Sequence, residues 1–339
     1  MSESPVAEVV VCTRNRARLL AGACEAILQQ DYPAALWRLV IVDNASTDDT
    51  FAVARELERR YEGRVRAVRE PEIGHCAARN AGIRATTAPI IAFTDDDALP
   101  DPAWLRTLVA SLTDGNALAA GGPVVPVITG EPPKWFLPDF VPYLAIWEPP
   151  RGTTELHFNE YPRGVNLAFR REVFERFGLF NTNLGLKEGR PLYCDETEMC
   201  LRIERAGERI VYAPHSLVRH CVEAERLTVD WITRRFDAQG RSEAIVQWIH
   251  GGLRGVLSGL RLHLGNYAAV HWTVVAKHHG ELTIAEVKEA AAILTRCRRL
   301  AIRGYLRQIR PAMANVPRYR PPAPIPSHPS SGGIPARRN

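Results

Sequence analysis

The chain lacks most signals of a disulfide-stapled, membrane-spanning or dinucleotide-binding protein. Its seven cysteines, at positions 12, 24, 76, 194, 200, 221 and 297, form no CxxC pair and keep no regular spacing. An odd, scattered count argues for reduced thiols in a cytoplasmic setting. No apolar run approaches the roughly 18 residues that a spanning helix needs. The nearest, from Tyr267 to Ala276, is short and broken by His271. The first residues show no basic segment followed by an apolar core, so a signal peptide is not expected. No GxGxxG follows the first apolar run, which disfavours a dehydrogenase, and the absence of GxxxxGK[ST] rules out a P-loop NTPase on motif grounds.

What is present is ordinary in bulk. With 339 residues, 46% hydrophobic and 24% charged, the chain can bury a large core in one domain or two. A net charge of +5 is modest, and no nucleic-acid partner is expected from it. The charge is unevenly placed. The last 29 residues carry Arg318, Arg320, Arg337 and Arg338 and no acid, which fits either a solvated tail or weak attraction to an anionic surface.

The most informative stretch is Pro89-Ile90-Ile91-Ala92-Phe93-Thr94-Asp95-Asp96-Asp97. It reads as a buried strand ending in three carboxylates, and open α/β sheets bind ligands beyond the carboxyl ends of their strands. Three adjacent acids repel one another, so a divalent cation such as Mg²⁺ or Mn²⁺ would suit them. A solvated acidic turn before the helix near Pro102 is the plain alternative.

Around this stretch, strand and helix alternate. Glu8–Cys12, Arg38–Val42 and Val65–Arg69 read as strands. Asn15 is a candidate N-cap, and Ser46 with Asp49 resembles a capping box. The alternation predicts a mostly parallel, doubly wound sheet flanked by helices. Asp43, like Asp95, then falls at a strand end, where it either caps the next helix or accepts from a ligand N–H. From Gly121 to Pro150, prolines are interleaved with Trp135, Phe136, Phe140, Tyr143 and Trp147. This excludes a regular helix or central strand and leaves the aromatics as sugar-facing surfaces or core plugs. Asp195 and Glu196 open a helix that stops at Gly207, and His220 follows a further strand as a core imidazole or a metal ligand. Thr283 with Glu286 forms a capping box for a long basic helix expected to reach Arg310 before Pro311.

In this order the segments resemble the family 2 glycosyltransferases, which have the GT-A fold. The resemblance covers about residues 6 to 245. It rests on Cys12-Thr13-Arg14-Asn15-Arg16, Val42-Asp43-Asn44-Ala45-Ser46-Thr47-Asp48, Ala78-Arg79-Asn80-Ala81-Gly82, Asp95 to Asp97, Gly164-Val165-Asn166-Leu167-Ala168-Phe169-Arg170-Arg171 and Asp195-Glu196-Thr197-Glu198.

The resemblance implies a GT-A-type, Rossmann-like sheet and an inverting transferase that uses a nucleoside-diphosphate sugar. Thr13, Arg14 and Asn15 would line the base and ribose pocket, and Asp43 would read the base. Arg79 would lie near the diphosphate. Asp95, with Asp96, would serve the nucleotide sugar, and Asp97 would hold Mg²⁺ or Mn²⁺ with His220 as a further ligand. Gly164 and Asn166 would line the donor-sugar and acceptor side, to which Trp135 is also assigned. The family usually has Glu-Asp where this chain has Asp195-Glu196. Alignment on Thr197-Glu198 makes Glu196 the general base, while a small shift would give the role to Asp195.

The expected organisation is a transferase domain over 1–250, with a nucleotide-binding half over 1–120 and an acceptor half over 121–250. A helical extension over 251–310 and a disordered, Pro-rich basic tail over 311–339 would follow. The acceptor is a glycan, a lipid-linked species or a small molecule, and peripheral contact with the inner membrane face is a further expectation. A catalytically silent sugar- or nucleotide-binding homologue and a sugar nucleotidyltransferase are the alternatives.

Overall fold

The computed structural model describes residues 5–320 apart from 151, 153 and 278–282. The first half runs β1 (Ala7–Thr13), α1 (Ala17–Leu28), β2 (Trp37–Asn44), α2 (Thr50–Arg60), β3 (Val65–Glu70), α3 (His75–Ala85) and β4 (Ile90–Asp95). Then come β5 (Ala98–Pro100), α4 (Trp104–Asp114), β6 (Ala119–Gly121) and β7 (Val124–Ile128). The second half adds β8 (Leu167–Arg170), α5 (Glu172–Phe177), α6 (Asp195–Arg205), β9 (Ile210–Tyr212), β10 (Val218–Val222), α7 (Val229–Lys277) and α8 (Ile284–Asn315).

Seven strands form one sheet in the order β3-β2-β1-β4-β8-β6-β9. β1, β2, β3 and β4 are mutually parallel, as their near-continuous apolar sequences require for strands covered on both faces. Successive side chains point to opposite faces. Val10, Val40, Val42, Ile91 and Phe93 therefore pack under α3, α5 and α6, while Val9, Val11, Leu39, Ile41 and Ala92 face α1 and α4. The sheet is not wholly parallel. β8, inside the motif over 164–171 for which no strand was expected, runs antiparallel to both β4 and β6.

Strand order reverses between β1 and β4, and their register sets Cys12 opposite Asp95. This reversal opens a crevice at the strands' carboxyl ends. A smaller sheet, β5-β10-β7, begins immediately after β4 and borders that crevice. β7 carries Pro126 on an edge, where a missing N–H is tolerated.

Two capping expectations do not hold. Asn15 adopts a left-handed φ of 53°, and its Oδ1 accepts from the Thr47 N–H at 2.8 Å. The Ser46–Asp49 box is also absent, because Ser46 Oγ accepts from the Asn15 N–H at 2.9 Å. Asp48 serves both helices instead, accepting from the N–H groups of Ala17 at 3.3 Å and Thr50 at 3.0 Å. Two loops brought side by side by parallel strands thus cap each other, which local spacing cannot reveal.

The C-terminal helices pack along one another. α7 bends at Gly252, whose φ of 56° and ψ of −145° lie outside helical space. The Thr283–Glu286 capping box is formed. α8 buries Leu294, Cys297, Ala301, Tyr305 and Ala312 and leaves Arg296, Arg299, Arg303, Arg307 and Arg310 exposed. Its apolar stripe is thus covered by packing. The helix also continues through Pro311 to Asn315, beyond the expected stop and into the span read as a disordered tail. Burial of Ala312 and Val316 against Ile245, Val246 and Ile249 offsets the hydrogen bond that proline removes. Residues 321–339 lie outside the described part of the chain.

Candidate active site

A cavity of about 1150 Å³ opens at the carboxyl ends of β1 and β4. Thr13, Arg14, Asn15, Arg79, Asp95, Asp96, Asp97, Gly164, Asp195, Glu196 and His220 all line it. Residues more than 200 positions apart therefore share one chamber, with the strand-end aspartates on one wall and the start of α6 on another.

The three aspartates have different surroundings. Asp96 accepts from Thr13 Oγ1 at 2.6 Å, yet its burial outweighs that bond and pushes its carboxyl up to about 6. Asp97 is also buried, but His220, Arg226 and Arg16 overcome the desolvation and hold it at about 2. Arg226 Nη2 donates to Asp97 at 2.8 Å, and Arg16 stands 3.8 Å away. Asp95, at the strand end, lines the cavity beside them.

His220 Nδ1 donates to the Leu144 carbonyl at 2.9 Å, which turns Nε2 towards Arg226 Nη1 at 3.2 Å and Asp97 Oδ1 at 3.4 Å. An imidazole anchored through one nitrogen with the other facing a carboxylate suits metal ligation. Among the described residues no cluster of three or more His, Cys, Asp or Glu could hold a metal alone. Asp97 and His220 fit a cation that takes its remaining ligands from phosphate and water, as Mg²⁺ and Mn²⁺ do.

The acids opening α6 are set apart by one arginine. Asp195 Oδ2 accepts from Arg79 Nη1 at 2.8 Å, and His75 Nδ1 lies 3.5 Å away. Burial would raise this carboxyl, but Arg79 and then His75 hold it well below the usual range. Glu196 has no cation at ion-pair distance among the described residues, and the Arg79 charge only partly offsets its burial. Burial, reinforced by the Asp195 charge, raises its carboxyl to about 7.

Arg79 itself is enclosed rather than open to a ligand. It donates also to the Gly164 carbonyl at 3.0 Å and lies over the rings of Phe93 and Phe180. A Cβ on Gly164 would come within 2.4 Å of its guanidinium, so this contact requires glycine. Glu198, one turn further along α6, pairs with Arg202 and His250 and anchors the helix. Arg202 in turn donates to the carbonyls of Phe177 and Leu179.

Three expected site residues do not line the cavity. Asp43 is fully buried behind Asn44. Its Oδ2 lies 3.4 Å from the Ser46 N–H, while Oδ1 has no hydrogen-bond partner among the described residues. Asn166 is fully buried, accepting from Trp104 Nε1 and donating to the carbonyls of Pro123 and Ser216. It ties α4, β7 and β10 together and presents no free group to a ligand. Trp135 packs on Phe136 and Phe140 in the cluster beside α7 and α8. Of the aromatics in that segment, Tyr143 reaches the cavity, stacked on Phe236 at 3.9 Å.

Sequence reasoning missed Arg226, Arg163, Arg235, Tyr193 and Arg298 as lining residues. Each is an ordinary basic or aromatic residue; α7 and α8 bring Arg235 and Arg298 to the chamber, while Arg163, Tyr193 and Arg226 reach it from connecting segments.

A Rossmann-like sheet with an acidic strand end facing a second acidic pair across a cleft defines a glycosyltransferase of the GT-A fold. The family model described as Glycosyl transferase family 2 matches residues 8–178. A glucosyl-dolichyl phosphate glucuronosyltransferase of Haloferax volcanii is 30% identical over 71% of this chain and 77% of its own length. The succinoglycan biosynthesis protein ExoM of Rhizobium meliloti is 24% identical over 72% of this chain and 76% of its own. Among solved structures, a mannosyltransferase of Pyrobaculum calidifontis in complex with GDP-Man and Mn²⁺ superposes with a TM-score of 0.59 at 23% identity. That match covers 91% of this chain and 88% of the other. The chain belongs to glycosyl transferase family 2. Among the described residues, no helix is long and apolar enough to cross a membrane.

Proposed function

We propose that this enzyme transfers a sugar, with inversion, from a nucleoside-diphosphate sugar to an acceptor hydroxyl, with Glu196 as general base. The observation that carries the reading is the separation of the α6 acids. Neighbouring carboxyls driven in opposite directions mark an acid–base pair with divided roles. Asp195 is committed to Arg79, whereas Glu196 lines the cavity with a carboxyl raised to about 7. A base of that strength is half ionised near neutral pH and suited to taking an alcohol proton.

In this reading the acceptor oxygen attacks the anomeric carbon from the face opposite the nucleotide. The carbon–oxygen bond to the diphosphate breaks, and the hydroxyl proton passes to the Glu196 carboxylate. The nucleoside diphosphate leaves without needing a proton, so no second carboxylic acid is required. Asp97 and His220 would hold Mg²⁺ or Mn²⁺, which supplies Lewis-acid stabilisation of charge on the diphosphate. Asp95 and Asp96 would position the ribose and sugar. Support for a nucleotide-sugar donor comes from the family, and support for a lipid-linked acceptor from the name of the Haloferax relative. Peripheral contact with a membrane that carries such an acceptor follows as part of the same proposal.

The test is thermal unfolding with UDP, GDP, dTDP and CDP, each with and without Mn²⁺, followed by nucleotide release from the matching sugar donors. We expect one nucleoside diphosphate to stabilise the protein in a metal-dependent way. Glu196→Gln should retain that shift and lose turnover. Undiminished turnover in Glu196→Gln would remove the base assignment, and a shift retained by Asp97→Ala would remove the metal assignment.

A further inference from the structure

We propose that the acceptor carries a phosphate group, which docks on Arg163, Arg235 and Arg298 beside Glu196. This inference rests on the glycosyltransferase reading above and names the class of its acceptor. Seven arginines line the main cavity. Four are paired with carboxylates: Arg14 with Glu188, Arg16 with Glu223, Arg79 with Asp195 and Arg226 with Asp97. Arg163, Arg235 and Arg298 have no carboxylate at ion-pair distance among the described residues.

Their contacts are weak substitutes. Arg163 lies 5.7 Å over Trp147, and its buried Nε has no partner. Arg235 lies 3.4 Å over the Tyr193 ring and donates to Gln239. Arg298 reaches the Tyr143 hydroxyl at 3.4 Å, and its Nε is likewise buried without a partner. The charges of Glu196 and Glu243 act on this group from outside ion-pair distance, which leaves guanidinium donors free for a multivalent anion. Phosphate offers several oxygens to several forks at once, where a carboxylate satisfies one.

Position separates this group from the donor's diphosphate. Arg163 and Arg298 also line a second chamber of about 270 Å³, next to α7 and α8, which Thr13 and the three strand-end aspartates do not reach. Phe158, Tyr161, Val246 and Leu262 give that chamber an apolar part. The arginines therefore stand where the two chambers meet, with Glu196 near Arg163 and space beyond for the rest of the acceptor. The phosphate ester could belong to a lipid or to a soluble sugar phosphate.

The test titrates the full chain, in EDTA, with geranyl phosphate, glucose 6-phosphate and geraniol, followed by calorimetry. Nucleoside diphosphate with Mn²⁺ is titrated in parallel. We expect a phosphate ester to bind and geraniol not to. Arg163→Gln and Arg298→Gln should each weaken that binding about tenfold and change nucleotide affinity less than about twofold, with Arg298→Lys recovering part of the loss. A preference for geranyl phosphate assigns a lipid source, and equal binding assigns a soluble one.

Absence of ester binding, indifference to both glutamine variants, or competition by the nucleoside diphosphate would overturn the proposal. If Arg163→Gln does not fold, Arg298→Gln alone decides. Ester failure with intact nucleotide binding defeats only this inference, whereas failure of every nucleotide defeats the glycosyltransferase reading beneath it.

Discussion

The two acidic ends of the active-site cavity solve the same problem in different ways. At the end of β4, Asp96 and Asp97 are neighbours, yet one is raised to about 6 and the other lowered to about 2. At the start of α6, Asp195 is lowered and Glu196 raised to about 7. In both pairs, successive residues point to different surroundings, and only one is held by a cation at ion-pair distance. The source of that cation differs. Asp97 draws on the part-exposed Arg16 and Arg226 and on buried His220, whereas Asp195 is held by Arg79 deep inside. A rim cation can exchange for a ligand, but a buried one is part of the fold. In the proposed reaction one end would bind and the other would keep a neighbour's carboxyl available.

The strongest way to break this contrast is at its reactive member. Glu196→Gln should lower turnover about 10³-fold while nucleotide affinity persists, as steady-state release of nucleotide would show. Arg79→Met should leave Asp195 buried and unpaired, lowering unfolding free energy by roughly 3–5 kcal/mol in denaturant titration. Asp97→Ala, at the exchangeable end, should leave the fold intact. It should abolish the metal-dependent stabilisation by nucleotide, about 2.7 kcal/mol at a hundred times the dissociation constant.

Asn166→Ala sharpens the contrast from outside it. The loss should be about 2 kcal/mol of stability with KM for the donor unchanged, because the amide serves buried partners only. The smallest effect is on pH. As the proposed base Glu196 would work ionised, and its carboxyl is raised, so activity should fall as pH drops through about 7. The rate at about pH 6 should be roughly tenfold below the alkaline plateau. Glu196→Gln should erase this limb from any residual rate.

Much of the frame was legible in the chain. β1, β2, β3 and β4 follow from apolar runs, and the Asp95–Asp97 end of β4 and the acidic start of α6 fall where the sequence reading puts them. The antiparallel β8 was hidden because its four residues, Leu167–Arg170, are too few to show a strand's periodicity. Arg79 was legible as a site residue but not as the partner of Asp195, 116 positions away. Asn166 and Trp135 have residue types suited to ligands, and their burial depends on neighbours that no local pattern announces.

The sequence by itself determined the parallel sheet, its acidic strand end and the family, because these depend on local periodicity and ordered motifs. Only the tertiary structure decided which of two adjacent acids is paired with Arg79. That choice depends on desolvation and on the placement of Arg79, and both arise from contacts between segments far apart in the chain.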